Sequence, residues 1–278
     1  MATQTEKALA FRRLHARPGA FVIPNPWDAG STRLLASLGF EALATTSAGH
    51  AFALGRRDGD GGVSRAETLA NARAIVEATD LPVSADLENG FGDDPENAAE
   101  TIRAASAIGL AGGSIEDASG NPARPIYELS LAVERVTAAV EAARSLKVPF
   151  VLTARAENFL HGRPDLDDTI RRLQAFEKAG AEVLYAPGLT QLDQIRALCS
   201  SVSRPVNVVM GLVGGAFSVQ QLAEAGVKRI SLGSSLARAA LGALMRAARE
   251  IRQDGTFGFA AQAIPFAELN RQMRPKGA

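Results

Sequence analysis

Short apolar runs alternate with longer amphipathic stretches along most of the chain. Apolar residues that recur every three or four positions predict helices between the runs, as at Leu166, Ile170, Leu173 and Phe176. Each short run predicts a buried strand, and the eight strands are Ala20–Pro24, Glu41–Thr46, Pro82–Asp86, Gly112–Glu116, Pro149–Thr153, Glu182–Ala186, Pro205–Met210 and Lys228–Leu232. Eight strand–helix units predict the α/β class, specifically a (β/α)8 TIM barrel.

The residues that begin and end the helices support the same architecture. Capping boxes at Ser64-x-x-Glu67 and Ser218-x-x-Gln221 mark two helix starts. A doubly wound open sheet is the alternative fold, but Pro24–Asp28 follows the first strand where that fold would carry a glycine-rich dinucleotide loop. Helix-ending glycines precede the even strands and prolines precede the odd ones, at Gly39, Gly109, Gly180 and Gly226 and at Pro18, Pro82, Pro149 and Pro205.

A C-terminal segment exceeds what a barrel requires. A helix is predicted from about Ser235 to Gln253, followed by a break at 254–258 and a further helical stretch to Met273. Two interpretations stay open: the segment packs on a second subunit, or it folds back on its own barrel. We therefore predict one barrel domain over residues 1–278, with 255–278 as an additional C-terminal segment.

Composition limits the classes of partner. Lys plus Arg and Asp plus Glu each number 30, so the chain has no net charge that would attract nucleic acid or an anionic membrane. A small-molecule partner is expected instead. Cys199 is the single cysteine, no apolar run approaches membrane-spanning length, and the N-terminus lacks a signal-peptide core. These features predict a cytoplasmic protein.

Acidic residues gather at the ends of successive predicted strands. Asp86 ends the third strand, and Glu88 follows on the same side of extended chain, about 7 Å further along. Glu116 ends the fourth strand. Three neighbouring carboxylates repel one another unless a cation holds them. Their oxygen ligands favour Mg²⁺, with Mn²⁺ as the alternative, over zinc.

Arg155, after the fifth strand, is the candidate anion clamp, because a guanidinium can bind a carboxylate with two parallel hydrogen bonds. An ion pair with Glu157 or Glu116 is the structural alternative, and both roles are compatible. The stretch 45–49, which includes Thr46 and Ser47, would add hydroxyl and backbone N–H donors. Glu157, two residues after Arg155, and Asn207, near the end of the seventh strand, are further candidate substrate contacts.

Lysine usage argues against imine chemistry. A Schiff-base enzyme needs a lysine inside the barrel at a strand end. The five lysines lie elsewhere, at Lys7, Lys147, Lys178, Lys228 and Lys276. A metal that polarises a carbonyl could perform the same electronic task.

Several motifs together resemble the isocitrate lyase/phosphoenolpyruvate mutase superfamily over most of the chain. The stretch Asp86–Gly92, which reads Asp-Leu-Glu-Asn-Gly-Phe-Gly, is the most specific of them. The others are Pro24–Asp28, Thr46–Gly49, Leu54–Asp58, Ser114–Asp117 and Thr153–Glu157.

The resemblance implies a barrel whose last helix is swapped between the subunits of a homodimer or homotetramer. It implies Mg²⁺ bound directly by Asp86 and largely through water by three further acids. Arg155 would contact a second acidic group of the substrate. The three further acids are Asp58, Glu88 and Glu116, and the residues implied to hold the substrate carboxylate are Ser47, Ala48 and Gly49.

The chain departs from the family pattern in the loop after the fourth strand. Lyases of the family carry a Lys-Cys-Gly-His type segment there, and mutases carry Lys and Asn, but residues 117–127 contain neither signature. Cys199 precedes the seventh strand at the opposite mouth and cannot substitute. Ser119, Asn121 and Arg124, together with Tyr127, are the loop candidates for protonating or orienting an intermediate.

We therefore expect a Mg²⁺-dependent lyase or decarboxylase that acts on a small 2-oxo or 2-hydroxy di- or tricarboxylate. It would cleave the bond next to the carbonyl through a metal-stabilised enolate. Decarboxylation tolerates the missing loop acid best, because loss of CO₂ itself generates the enolate. The alternatives are a phosphoenolpyruvate mutase-type enzyme that acts on a P–C bond and a non-catalytic barrel that binds an acidic metabolite.

Overall fold

Eight parallel strands form the centre of the computed structural model, which describes residues 2–59, 61–212 and 217–274. They follow the order β1-β8-β7-β6-β5-β4-β3-β2, and the Ala44 N–H donates to the Pro24 carbonyl at 3.0 Å between the two outermost strands. The predicted (β/α)8 barrel is therefore confirmed as a nearly closed cylinder. The strands are β1 (Phe21–Ile23), β2 (Leu43–Ala44), β3 (Val83–Asp86), β4 (Gly112–Glu116), β5 (Val151–Arg155), β6 (Val183–Tyr185), β7 (Val206–Val209) and β8 (Arg229–Ser231).

Helices surround this sheet. Both predicted capping boxes are present, at Ser64 and Ser218. The glycines predicted to end helices adopt positive φ angles from 85° to 108°. The helices are α1 (Gln4–Ala16), α2 (Ala29–Ser37), α3 (Ser47–Ala53), α4 (Arg65–Glu77), α5 (Pro95–Ala107), α6 (Leu129–Ser145), α7 (Leu166–Ala179), α8 (Leu192–Ser200), α9 (Val219–Glu224), α10 (Ser235–Asp254) and α11 (Phe266–Gln272), with a 3₁₀ helix at Gly258–Gln262.

Two strand predictions need correction at their boundaries. The fifth strand was placed at Pro149–Thr153, but β5 runs from Val151 to Arg155, so Arg155 is the last strand residue and does not lie in a loop. The second was placed at Glu41–Thr46, but β2 contains only Leu43 and Ala44. It ends early because the Thr46 side chain accepts the Gly49 N–H and so starts α3.

Helix α1, which was not predicted, closes the lower end of the barrel, where the strands begin. Its residues Ala8, Phe11 and Leu14 are buried with apolar residues at or next to the starts of five strands. The Gln4 side-chain amide also donates to the carbonyls of Ser106, at 2.7 Å, and Leu110, at 3.1 Å. The buried partners are Phe21, Ile23, Ala42, Ala111, Val151 and Val183.

The C-terminal segment follows the predicted pattern, with α10 ending at Gly255 in a left-handed conformation. Its contact with the rest of the chain is slight, and the Arg33 Nη1 donates to the Met273 carbonyl at 2.7 Å beside α2. Phe257 and Phe266 are 67% and 81% exposed. Residues 275–278 of the predicted segment, which include Lys276, lie outside the described residues. Among the described residues, no helix is long and apolar enough to cross a membrane.

Replacing Phe11 with alanine tests the role of α1 as a plug. The Phe11 ring is fully buried and makes edge contacts with His15 and Phe21, at centroid distances of 4.6 and 6.5 Å. We expect Phe11→Ala to lower the free energy of unfolding by about 3–5 kcal/mol in urea denaturation. Leu9→Ala is the matched control, because Leu9 lies on the same helix and is 42% exposed. Equal losses of unfolding free energy in the two variants would contradict the role of α1 as a plug.

Candidate active site

Three candidate residues are the last residues of three adjacent strands. Asp86 ends β3, Glu116 ends β4 and Arg155 ends β5, and Glu116 is in register with Arg155. All three side chains lie at the upper mouth of the barrel, where the strands end and where barrels of this class carry their reactive groups. The structure thus brings together the residues that strand order alone had predicted to be neighbours.

The Arg155 guanidinium is the centre of the site. Its Nη1 lies 2.9 Å from Asp86 Oδ1 and 3.2 Å from Glu116 Oε2, and its Nε donates to Glu157 Oε1 at 2.9 Å. Its plane also lies over the Tyr185 ring, with Cζ 5.0 Å from the centroid. The ion pairs considered as the structural alternative are therefore present. Arg155 Nη2 takes part in none of them and can still contact a ligand.

Glu88 is held in an unusual backbone conformation next to these ion pairs. Its φ is +48°, and that of Phe91 is +63°, a region that non-glycine residues rarely occupy. The Glu88 N–H donates to Asp86 Oδ1 at 3.3 Å, and its carbonyl accepts the Glu116 N–H at 3.0 Å. Buried Arg135 holds the following loop by donating to the carbonyls of Asn89, Gly92, Asp93 and Asp94.

The acids around Arg155 form a carboxylate cluster in which carboxyl groups outnumber the guanidinium. Burial, followed by the charges of Asp86 and Asp58, raises the pKa of Glu88 to about 7. Burial also raises the pKa of Asp58, Glu116 and Glu157. The neighbouring carboxylates outweigh burial at Arg155 and raise the pKa of its guanidinium. The cluster consists of Asp58, Asp86, Glu88, Glu116 and Glu157, so a single guanidinium opposes five acids.

The carboxylate cluster matches a hard divalent cation in its donor chemistry. It offers only oxygen ligands, from several carboxyl groups, which suits Mg²⁺ or Mn²⁺. Within residues 2–59, 61–212 and 217–274, no three His, Cys, Asp or Glu side chains converge in a preformed coordination geometry. The carboxylate cluster therefore fits a divalent cation in ligand type. The assignment of Asp58, Asp86, Glu88 and Glu116 as metal ligands stays a prediction.

The residues expected to bind substrate lie at the start of α3, beside Asp86. Thr46 caps this helix, and the Ser47 N–H donates to Asp86 Oδ2 at 3.3 Å, while the Ser47 hydroxyl binds Asp58. Ala48 lies in the first turn, where backbone N–H groups lack helical partners. The Gly49 N–H is already bound to Thr46, and a side chain at Gly49 would collide with Thr46 and Trp27. Gly49 therefore shapes the turn.

Two adjoining cavities open around Arg155. The upper cavity, of about 930 Å³, contains Asp58, Glu88, Glu116 and Glu157 on its wall. The inner cavity, of about 160 Å³, reaches down into the barrel. Its wall includes several residues that the sequence analysis predicted for the site, namely Thr46, Ser47, Ala48, Asp58, Asp86, Arg155 and Asn207.

Several polar wall residues of the inner cavity were not predicted as site residues, among them Tyr185, Arg229 and Ser231. Two-residue alternation along β8 could have indicated that Arg229 and Ser231 face the same side. It could not have indicated that this side is a cavity.

The loop candidates divide between two places. Ser119 lines the upper cavity, although its hydroxyl also hydrogen-bonds the Arg124 carbonyl. Asn121 and Arg124 line a small neighbouring cavity with Tyr127, and Ser119 lies on the wall of both cavities. The Asn121 side chain accepts the Ala123 N–H at 2.9 Å and so stabilises its own turn. The structure thus places Ser119 with the carboxylate cluster and the other two outside it.

A buried ion pair supports the site from below. Asp117 Oδ1 accepts the Glu157 N–H at 2.8 Å, and Asp117 Oδ2 lies 3.1 Å from Arg172 Nη1. Arg172 also binds Asp168 Oδ2 at 2.9 Å through its Nε. Burial raises the pKa of Asp117 to about 6, against the hydrogen bond from Glu157 and the charge of Arg172. This pair fixes the backbone that presents Glu157 to Arg155.

Comparisons with known proteins agree with this geometry. A sequence model of the family described as phosphoenolpyruvate phosphomutase matches residues 11–252. The 2-methylisocitrate lyase of Shewanella oneidensis is 29% identical over 255 residues, which cover 89% of this chain and 86% of that protein.

Two solved structures extend the likeness to the whole fold. One, from Burkholderia cenocepacia J2315 and provisionally described as a lyase/mutase, is 60% identical, with 96% of this chain and 95% of that chain covered and a TM-score of 0.94. The other, of 2,3-dimethylmalate lyase, a PEP mutase/isocitrate lyase superfamily member, is 27% identical, with 99% and 96% covered and a TM-score of 0.86.

The fold and its relatives define a class, the (β/α)8-barrel enzymes that act as carbon–carbon lyases or mutases. Within that class, the chain belongs to the phosphoenolpyruvate phosphomutase family of the isocitrate lyase/PEP mutase superfamily. The resemblance drawn from Asp86–Gly92 and its companion motifs is thereby confirmed.

The adjacent arginines Arg171 and Arg172 provide a test of the supporting ion pair. Both bind Asp168, but the Arg172 side chain is 7% exposed and that of Arg171 is 67% exposed. We expect Arg172→Met to lower the free energy of unfolding by about 3–5 kcal/mol, because it leaves Asp117 buried without its cation. Arg171→Met should change it by less than about 0.5 kcal/mol. Urea denaturation measures the unfolding free energy of both variants. An unchanged unfolding free energy in Arg172→Met would contradict the supporting role of the ion pair.

Proposed function

We propose that this protein is a Mg²⁺-dependent carbon–carbon lyase or decarboxylase. Its substrate would be a small 2-oxo or 2-hydroxy di- or tricarboxylate, cleaved at the bond next to the carbonyl. The observation that carries the proposal is the placement of Arg155 among Asp86, Glu116 and Glu157 in a cavity with further acids. The named lyases among its relatives support a C–C reaction.

The carboxylate cluster supports a divalent cation at this position. Asp86, Glu88, Glu116 and Asp58 would hold the ion, directly or through water. When bound, the cation supplies positive charge that polarises the substrate carbonyl and stabilises negative charge on its oxygen. Mg²⁺ is favoured, and Mn²⁺ is the alternative with the same ligand preferences.

The chain's own residues would bind and orient the substrate. Arg155 Nη2 faces no protein carboxylate in the ion pairs above, so it can bind an acidic group of the substrate. The backbone of Ser47 and Ala48 at the start of α3 would bind a carboxylate. Ser119, on the wall of the upper cavity, is the loop residue best placed to transfer a proton.

A P–C bond reaction is the second candidate, because the matching family is described as phosphoenolpyruvate phosphomutase. The loop after β4 carries neither the Lys and Asn of mutases nor the Lys-Cys-Gly-His type segment of lyases, which favours a decarboxylation that starts without a loop acid. A third candidate is a non-catalytic barrel that binds an acidic metabolite.

We also propose that the C-terminal segment packs on a second copy of the chain in a homodimer or homotetramer. Leu244, Phe257, Ile264 and Phe266 are each more than half exposed on the single chain. Such a set of large apolar side chains on consecutive elements is typical of a covered surface. A swapped C-terminal helix would cover it symmetrically.

Steady-state kinetics with purified protein and Mg²⁺ tests the reaction. We expect turnover of a C–C substrate such as oxaloacetate or 2-methylisocitrate and none of phosphonopyruvate. Asp86→Ala should lower kcat/KM by at least about 100-fold and weaken Mg²⁺ binding in titration calorimetry, because a metal supplies several kcal/mol of charge stabilisation. Asp193→Ala is the control, because its side chain is 91% exposed on α8.

The other outcomes separate the alternatives. Conversion of phosphonopyruvate alone would favour the mutase. Tight binding of an oxo acid without conversion of any of the three compounds would favour the non-catalytic barrel.

Light scattering coupled to size-exclusion chromatography tests the proposed assembly. We expect the mass of a dimer or tetramer for the full chain and a shift towards the monomer for Phe266→Asp, because a carboxylate cannot be buried in an apolar interface without large cost. Leu38→Asp is the control, because Leu38, the C-cap residue that follows α2, is 72% exposed. A monomeric mass for the unmodified chain would overturn the proposal.

A further inference from the structure

Arg229 is a buried cation inside the barrel whose three hydrogen-bond partners are all neutral. It is 5% exposed. Its Nε donates to Asn207 Oδ1 at 2.8 Å, its Nη2 to Thr153 Oγ1 at 3.0 Å, and its Nη1 lies 3.5 Å from His15 Nε2. A guanidinium has five N–H donors, and these contacts with described residues use three of them.

No acidic side chain in the described part of the chain forms an ion pair with Arg229, in contrast to Arg155 and Arg172. Burial lowers the pKa of Arg229 to about 10, so it is charged at neutral pH. Burial, with the charge of Arg229, lowers the pKa of His15 to about 3, so the imidazole is neutral. Its Nδ1 bonds the Phe11 carbonyl at 2.8 Å, which leaves Nε2 to accept from Arg229. A buried charge of this kind is costly without a counter-ion.

Arg229 lines the inner cavity, and several of the other wall residues are also polar. Bulky branched residues normally fill this space. Here Ser84, Ser114 and Ser231 line the cavity along with Asn207 and Arg229. The small side chains leave about 160 Å³ that connects the level of Arg155 with that of Arg229.

Strand geometry gives the separation, along β5, of the levels at which the two arginines meet that strand. Arg229 contacts Thr153, which is two residues before Arg155 on β5, so the two contact levels lie about 7 Å apart. The span suits a short dicarboxylate, with one carboxylate at the mouth and the other at the floor.

We propose that Arg229, with Asn207 and Ser231, forms a carboxylate-binding subsite at the floor of the inner cavity. It would receive the distal carboxylate of a short dicarboxylate whose reacting end lies beside Arg155. This inference rests on the proposed function, because it assigns the site a preference for dicarboxylic over monocarboxylic acids.

Titration calorimetry with succinate and butyrate tests the subsite without turnover. The two acids have the same chain length and differ by one carboxylate, and neither has a carbonyl next to a carboxylate. We expect succinate to bind wild-type protein at least about 10-fold more tightly than butyrate, and Arg229→Gln to reduce that ratio below about threefold. A charge-assisted pair contributes this much in a buried site. Arg12→Gln, which removes the same charge on the lower face, should keep the ratio.

An unchanged succinate preference in folded Arg229→Gln would overturn the proposal. Bromide and succinate soaks of wild-type crystals cover the case in which the variant does not fold. We expect anomalous bromide density within hydrogen-bond distance of Arg229, and its displacement by succinate. No anion at Arg229, or bromide that persists there beside bound succinate, would overturn the subsite. Because neither acid is turned over, these results stay separate from a failure of the proposed reaction.

Discussion

The arrangement of the site depends on one guanidinium. Arg155 lies within 3.2 Å of three carboxylates that belong to β3, β4 and the residues after β5. Without it, buried Asp86, Glu116 and Glu157 would repel one another at the mouth of the barrel. With Asp58 and Glu88 included, more carboxyl groups than this one guanidinium can pair with line the cavity. This surplus of acids is the basis on which we propose a cation at the site.

Two other buried arginines hold the backbone that carries these acids. Arg172 pairs with Asp117, whose other oxygen accepts the Glu157 N–H. Arg135 donates to loop carbonyls after Glu88 and stacks its Cζ 4.5 Å from the Tyr127 ring centroid. The loop can therefore keep Glu88 and Phe91 at positive φ, a conformation that costs of order 1–3 kcal/mol per residue. Strain at the site is offset by hydrogen bonds made outside it.

The barrel interior differs between its two ends. At the lower end, α1 brings Phe11 and Leu14 against the first residues of the strands and excludes water. Immediately above, small and polar side chains replace the usual aliphatic layer and leave the inner cavity. Arg229 lies at the boundary, where it is bonded to His15 of the plug and exposed to the cavity. The plug thus allows a charged group to sit deep in the barrel beneath the proposed active site.

Local pattern in the sequence was enough to predict the barrel, because eight apolar runs, their glycine and proline stops and two capping boxes all depend on neighbouring residues. Strand order also predicted that Asp86, Glu116 and Arg155 would meet, since parallel strands end at one mouth. The motif resemblance added Asp58, which no spacing would have indicated. Only the tertiary structure showed the contacts of Arg155, the strained backbone of Glu88, and Arg229 beside an inner cavity. Those features depend on side chains from distant elements meeting in three dimensions, and no local pattern encodes which of them share a cavity.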